Sequence, residues 1–390
     1  MKTLAPSAKA HALPPLLTSG QLFALIVQTI IGVGVLTLPR EVAAATRTDG
    51  YTPLLLCALL NWIPLHLWLT LYRRFPHQSF YGVVVQSAPL RRPLFLRAYT
   101  LTVYLPLAAL LVVVTGIVTR LFADVVNAAI LPNTPKAVVV LLLLVPCALF
   151  SLMAVDAQGR VNELLLPLVV ANFLGGVFLS MTRGDVYNLL PLFPYDWADL
   201  GKGMLAALFA FQGAIVLSAY GGYIAQPRNL LGPSVWGMAL PTVLYVLITT
   251  VAIAVFGHEE LRRITWPTFE LARITTFPGL VLERLESVFL AAWVAVVFTT
   301  AANNFGAYVQ LATWFAPGIF GHAVGAAATI FVLAAGVALY PPSPVEVAAW
   351  GRWSAYATFF LTLAYPVALH VLATLVRRGQ REAAFRQSTL

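Results

Sequence analysis

"QTIIGVGVLTLPREVAAA", Gln28–Ala45, is apolar enough for a membrane helix, yet it carries Gly32 and Gly34 and then Pro39. Glycine inside a helix costs roughly 0.5–1 kcal/mol against alanine. Proline removes a donor and clashes with the preceding turn. In lipid, the backbone groups so freed must find partners in protein or in a water-lined cavity. The stretch is therefore either an ordinary kink or a break that exposes backbone to something.

The surrounding chain sets the solvent. Of 390 residues, 60% are hydrophobic and 10% charged, where a soluble domain carries about 25% charged. This composition predicts an all-α polytopic membrane protein. A net charge of +9 raises nucleic acid as a partner. The basic residues instead gather on one side of the predicted topology, so the bilayer is the expected partner and nucleic acid is not. Cys57 and Cys147 lie in apolar runs without metal-ligand spacing and read as packing residues. No removable signal peptide is expected ahead of the first apolar stretch.

Ten stretches approach the roughly 20 apolar residues that cross a bilayer: 21–46, 51–72, 95–126, 137–154, 162–181, 203–225, 233–256, 288–315, 323–339 and 350–376. An even number puts both termini on one side. That side holds Lys2, Lys9, Arg73, Arg74, Arg91, Arg92, Arg97, Arg160, Arg228, Arg377, Arg378, Arg381 and Arg386. Most of these crowd the short segment between spans 2 and 3 and the C-terminal tail, which predicts cytoplasmic termini. The outer segment 257–287 is expected to form a short interfacial helix or two. The basic segment between spans 2 and 3 is expected to hold a membrane-surface helix.

A second interruption lies five spans on. "MLAALFAFQGAIVLSAYGG", Met204–Gly222, carries Phe211, Gln212 and Gly213 near its middle. Spans 1 and 6 run in opposite directions, so the pattern is that of a five-plus-five inverted repeat with the first helix of each half broken. The whole chain, 1–390, then forms one transmembrane domain. Repeat one covers about 19–182, repeat two about 200–378, and the tails are 1–18 and 379–390. A broken helix offers unpaired N–H groups to a carboxylate and unpaired carbonyls to a cation or ammonium. The competing reading is close packing, for which membrane helices often use glycine.

Span 8 reads "FTTAANNFGAY", with Thr299, Thr300, Asn303 and Asn304 within six residues. Such side chains need partners in lipid, and they serve either a binding site or inter-helix hydrogen bonding. Tyr104 in span 3 and Asn172 in span 5 are further candidates for the same cavity. The span centres carry almost no ionisable residue, which argues against a proton relay. Arg160 and Glu163 are spaced to pair on one helix face, and Arg40 and Glu41 beyond the first break read as structural pairing rather than as gating or topology residues. There is no catalytic constellation, phosphate loop, metal-spaced cluster or ATPase motif, so neither an enzyme nor a cofactor or metal is expected.

"IIGVGVLTLPREVAAATRTDGY" resembles the first-span signature of the spore germinant-receptor B subunits, the endospore germination permease family. "WPTFELARITTFPGLVLERLESVFLAAWVAVVFTT", Trp266–Thr300, resembles that family's outer segment leading into span 8. The family is similar in fold to the amino acid–polyamine–organocation transporters. The resemblance implies a nutrient-sensing subunit that works with A and C subunits in the inner membrane of a dormant spore and triggers germination. It implies a ligand site around Gly32, Gly34, Tyr104, the break Phe211–Gln212–Gly213, and Thr300 with Asn304; Val33 and Val35 are expected to line the same site. Many relatives carry a glutamate after the second break where this chain reads "FQGAIV". Without nearby charge, the expected ligand is a small neutral amino acid. The alternative is a proton- or sodium-coupled amino-acid symporter.

Overall fold

The computed structural model describes residues 12–14, 16–90, 92–274, 285–317, 319, 322–340 and 343–388. Lys2, Lys9, Arg91 and positions 275–284 of the outer segment lie outside the described residues. The first predicted span is two helices, α1 (Ser19–Ile30) and α2 (Leu38–Thr46), with a single 3-10 turn at Val33–Leu36 between them. Thr18 caps α1, accepting from the Gln21 amide, and Gln21 returns the bond to the Thr18 amide. Pro39 sits in the first turn of α2, where its missing N–H costs no helix bond. It starts the second half rather than kinking the first.

Then follow α3 (Thr52–Arg74), α4 (Phe80–Ser87), α5 (Pro93–Ala129), α6 (Lys136–Ser151) and α7 (Val155–Met181). The second half holds α8 (Trp197–Ala207), α9 (Leu217–Tyr220), α10 (Leu231–Leu261), α11 (Pro267–Ile274), α12 (Leu285–Phe315), α13 (Ala323–Leu339) and α14 (Pro344–Ser388). Span 6, read as 203–225, is thus α8 and α9 separated by an irregular stretch, and α8 begins before the apolar run does. Among the described residues, α3, α5, α7, α10, α12 and α14 are long and apolar enough to cross a membrane. The shorter apolar helices are α1, α6 and α13.

Burial separates the centre from the rim. The apolar window of α12 is 72% buried, against 22% for α7 and for α14, so α12 is the axis of the bundle. It packs on α5, α6, α7, α13 and α1. The rim helices instead expose large apolar side chains such as Leu164, Phe178 and Phe360, as a lipid-facing surface requires.

The helix between spans 2 and 3 is α4, which buries Phe80, Val83, Val84 and Val85 and packs on α5, α12 and α14. One expectation needs correction: α7 begins at Val155, so Arg160 lies inside the helix and pairs with Asp156 at 2.8 Å rather than with Glu163. Arg40 and Glu41 do lie together, at 3.7 Å. The segment leading into α1 crosses the ends of neighbouring elements: the Leu13 amide donates to His77 O, and the Leu16 and Leu17 amides donate to Tyr223 O. Cys57 and Cys147 are buried free thiols.

Candidate functional site

The two glycines of the opening stretch are explained by what approaches them. At Gly32 the backbone is extended, and an added Cβ would stand 3.0 Å from both Cγ2 and Oγ1 of Thr300 on α12. At Gly34 a Cβ would stand 3.1 Å from the Ala210 Cα in the second break. The two interruptions therefore meet back to back, with α12 alongside, and side chains at these positions would push them apart.

Tyr245 of α10 ties the breaks together. Its hydroxyl lies 2.8 Å from Ile30 O, at the end of α1, and 3.0 Å from Ala210 O, three residues past the end of α8. Thr268 of α11 donates to Val35 O at 2.7 Å, so the outer segment is anchored on the first break.

The four polar residues of α12 divide by helical register. Thr299 and Asn303 face α1 and α7. Asn303 and Asn162 exchange amide hydrogen bonds of 2.8 and 2.9 Å. Asn303 also donates to Thr29 Oγ1, and Thr299 donates to Gln28 Oε1. These bonds hold helices together. Asn172 does the same more loosely, reaching Phe289 O at 3.5 Å. One residue further round the helix, Thr300 and Asn304 face the breaks. Thr300 Oγ1 lies 2.9 Å from Gln28 O, 3.0 Å from Ile31 O and 3.2 Å from Val296 O. One hydroxyl proton serves one of these carbonyls at a time. The negative end of α1 thus presents a knot of oxygen atoms suited to an ammonium or a cation.

Between the breaks lies a small cavity. Of the residues expected to bind ligand, Gly32, Val33, Gly34, Gln212, Thr300 and Asn304 line it. Its volume open to the centres of water molecules is about 20 Å³, room for one or two waters, so an amino acid requires the site to widen. Asn304 Oδ1 and both amide atoms of Gln212 are buried without a hydrogen-bond partner in the protein. Each such atom costs about 1–3 kcal/mol. None of the lining residues is charged.

Four expected residues lie elsewhere. Tyr104 stacks on Phe315 at 5.2 Å. It sits ten positions before Val114, the nearest lining residue on α5, or about 15 Å along a helix. Val35 directs its carbonyl to Thr268 and is absent from the lining. Phe211 packs edge-on against Tyr245 at 5.2 Å. Gly213 lies against Ile30, in the seam between the breaks. Sequence reasoning missed Val114, Val118 and Phe209, apolar lining residues that look like any other apolar helix position. It also missed Thr29, Ile30, Ala210 and Ile215, which flank the interruptions and were within reach of that signal.

The family model described as "Spore germination protein" matches residues 16–317. Spore germination protein YndE of Bacillus subtilis (strain 168) is 24% identical over 368 residues, covering 94% of this chain and 98% of that protein. Spore germination protein GerLB of Bacillus cereus is 27% identical over 281 residues, covering 70% and 72%. Spore germination protein B2 of Bacillus subtilis (strain 168) is 24% identical over 381 residues, covering 93% and 98%. Among solved structures, the transporter MhsT in complex with L-phenylalanine superposes with a TM-score of 0.58 at 16% identity, covering 90% of this chain and 97% of that one. The fold is transporter-like.

Proposed function

This chain belongs to the spore germination protein family, and from that premise we propose that it binds a small neutral amino acid between its two helix breaks and signals occupancy to partner subunits. The observation that carries the reading is the set of unpaired buried atoms, Asn304 Oδ1 and the Gln212 amide, facing one cavity between two interrupted helices. Buried polar atoms are normally satisfied, and a ligand is what would satisfy these. The ammonium goes to the oxygen knot at Gln28, Ile31 and Thr300, and the carboxylate to the first N–H groups of the turn at Val33–Leu36. A zwitterion balances such a site, and an extra charge is left uncompensated at a cost of several kcal/mol.

The ligand residues in this reading are Gly32, Val33, Gly34, Gln212, Thr300 and Asn304. The chain spans the bilayer ten times as a five-plus-five inverted repeat, the four shorter or interrupted segments completing the count. Both termini face the spore core from the inner membrane, and A and C subunits receive the signal. Support comes from the family membership, the density of basic residues near the predicted inner ends, and the opposed breaks. The test is titration of the purified protein with neutral and charged amino acids. Binding of neutral ones alone is expected, and tightest binding of a charged amino acid would overturn the reading.

The oxygen knot around Thr300 favours one second reading, a cation-coupled symporter. Uptake by reconstituted vesicles separates the two: a sensor binds without accumulating ligand under a sodium or proton gradient.

A further inference from the structure

A second cavity shares a wall with the first. Between α3, the second break and α14, Asn61, Phe211, Gln212, Thr358, Phe359 and Thr362 surround a space of about 10 Å³ open to water centres. Gln212 lines both cavities.

Thr358 is the informative residue. It is 2% exposed, and its hydroxyl has no hydrogen-bond partner in the protein. A helical threonine usually donates to the carbonyl one turn back. Thr362 and Thr374, on the same helix, do so, to Thr358 O and His370 O. Thr358 does not, and its hydroxyl remains available to the cavity it lines. Gln212, which lines the same cavity, carries a donor and an acceptor both unbonded. Turning its side chain breaks no hydrogen bond, so its amide can serve either of the two cavities it lines.

We propose that the second cavity is a subsite for the ligand's side chain, taking an uncharged hydroxyl or carboxamide group, and that Thr358 selects it. This deepens, and rests on, the reading that an amino acid occupies the first cavity. The chemistry follows from the lining. None of its residues is charged, so an ionised side chain would be buried unpaired. Three unbonded polar atoms, Gln212 Nε2 and Oε1 and Thr358 Oγ1, would stay unbonded against an apolar group. A hydroxyl matches the space as it stands, about one water. A carboxamide can exchange paired bonds with the turned Gln212, in the way that Asn162 and Asn303 already pair in this protein. Sites built to bond a polar group discriminate strongly against the isostere that lacks it.

The test is calorimetric titration of the intact purified protein with two near-isosteric pairs, threonine against valine and asparagine against leucine. The native protein should bind the polar member of each pair about tenfold more tightly. Thr358→Val should bring the threonine-to-valine ratio close to one by weakening threonine binding. Thr358→Ser, which keeps the hydroxyl, should retain the preference and guards against a folding defect. Equal binding within each pair, or a threonine preference that survives Thr358→Val, would overturn the subsite while leaving the amino-acid reading intact. Failure to bind any of the four amino acids would overturn that reading, and the subsite with it.

Discussion

Replacing Gly32 tests the breaks as a binding device. In the native chain a Cβ at this position would lie 3.0 Å from Cγ2 and Oγ1 of Thr300, inside the 3.5–4.0 Å at which carbon atoms pack best. Gly32→Ala therefore moves Thr300 by a few tenths of an ångström, and with it the hydroxyl at the centre of the oxygen knot. Overpacking of this kind costs about 1–3 kcal/mol of folding stability; the part of it felt only with ligand bound lowers affinity, by at most roughly 150-fold at 1.4 kcal/mol per decade. Gly32→Leu adds a branched side chain beside a cavity of about 20 Å³ and should abolish binding. Gly175 is the control: a Cβ there meets nothing within 4 Å, so Gly175→Ala should bind normally. The assay is calorimetric titration with valine, with circular dichroism and gel filtration confirming that each variant inserts and folds. Native affinity in a folded Gly32→Leu protein would refute the reasoning.

Tyr245→Phe keeps the ring but strips the donor shared by Ile30 O and Ala210 O; thermal unfolding should show a loss of about 1–3 kcal/mol and weaker ligand binding. Asn303→Leu should destabilise by a similar amount because Asn162 and Thr29 each lose a partner and Asn162 Oδ1 is left without its donor. The double variant with Asn162→Leu should cost less than the two singles together, as a measured coupling would show. Vesicles carrying the native protein should bind a neutral amino acid yet fail to concentrate it under a sodium or proton gradient, as read with labelled ligand.

The breaks were legible because they violate a rule. Glycines at 32 and 34 and the polar pair Gln212–Gly213 weaken helices in which every backbone bond must be met internally, so their cause had to be local and tertiary. The polar cluster of α12 was legible as a cluster but not as two faces: sequence could not say that Thr299 and Asn303 bind helices together while Thr300 and Asn304 meet the breaks. Asn162 was overlooked because the start of α7 reads as a charged loop. Its polar residues are held inside the helix by bonds to α1 and α12. Tyr104 misled for the opposite reason, as an aromatic in an apolar span carries no mark of its depth. Thr358 looked like ordinary α14 sequence, and only its missing back-bond distinguishes it.

The most direct measurement of the central claim is calorimetric titration of the purified protein with alanine, valine and leucine against aspartate, glutamate, lysine and arginine. A site with backbone dipoles and no charged side chain should bind the neutral zwitterions and give no heat with the charged ones at the same concentrations. Tighter binding of any charged amino acid, or binding of a sugar or nucleoside with none of an amino acid, would contradict the account.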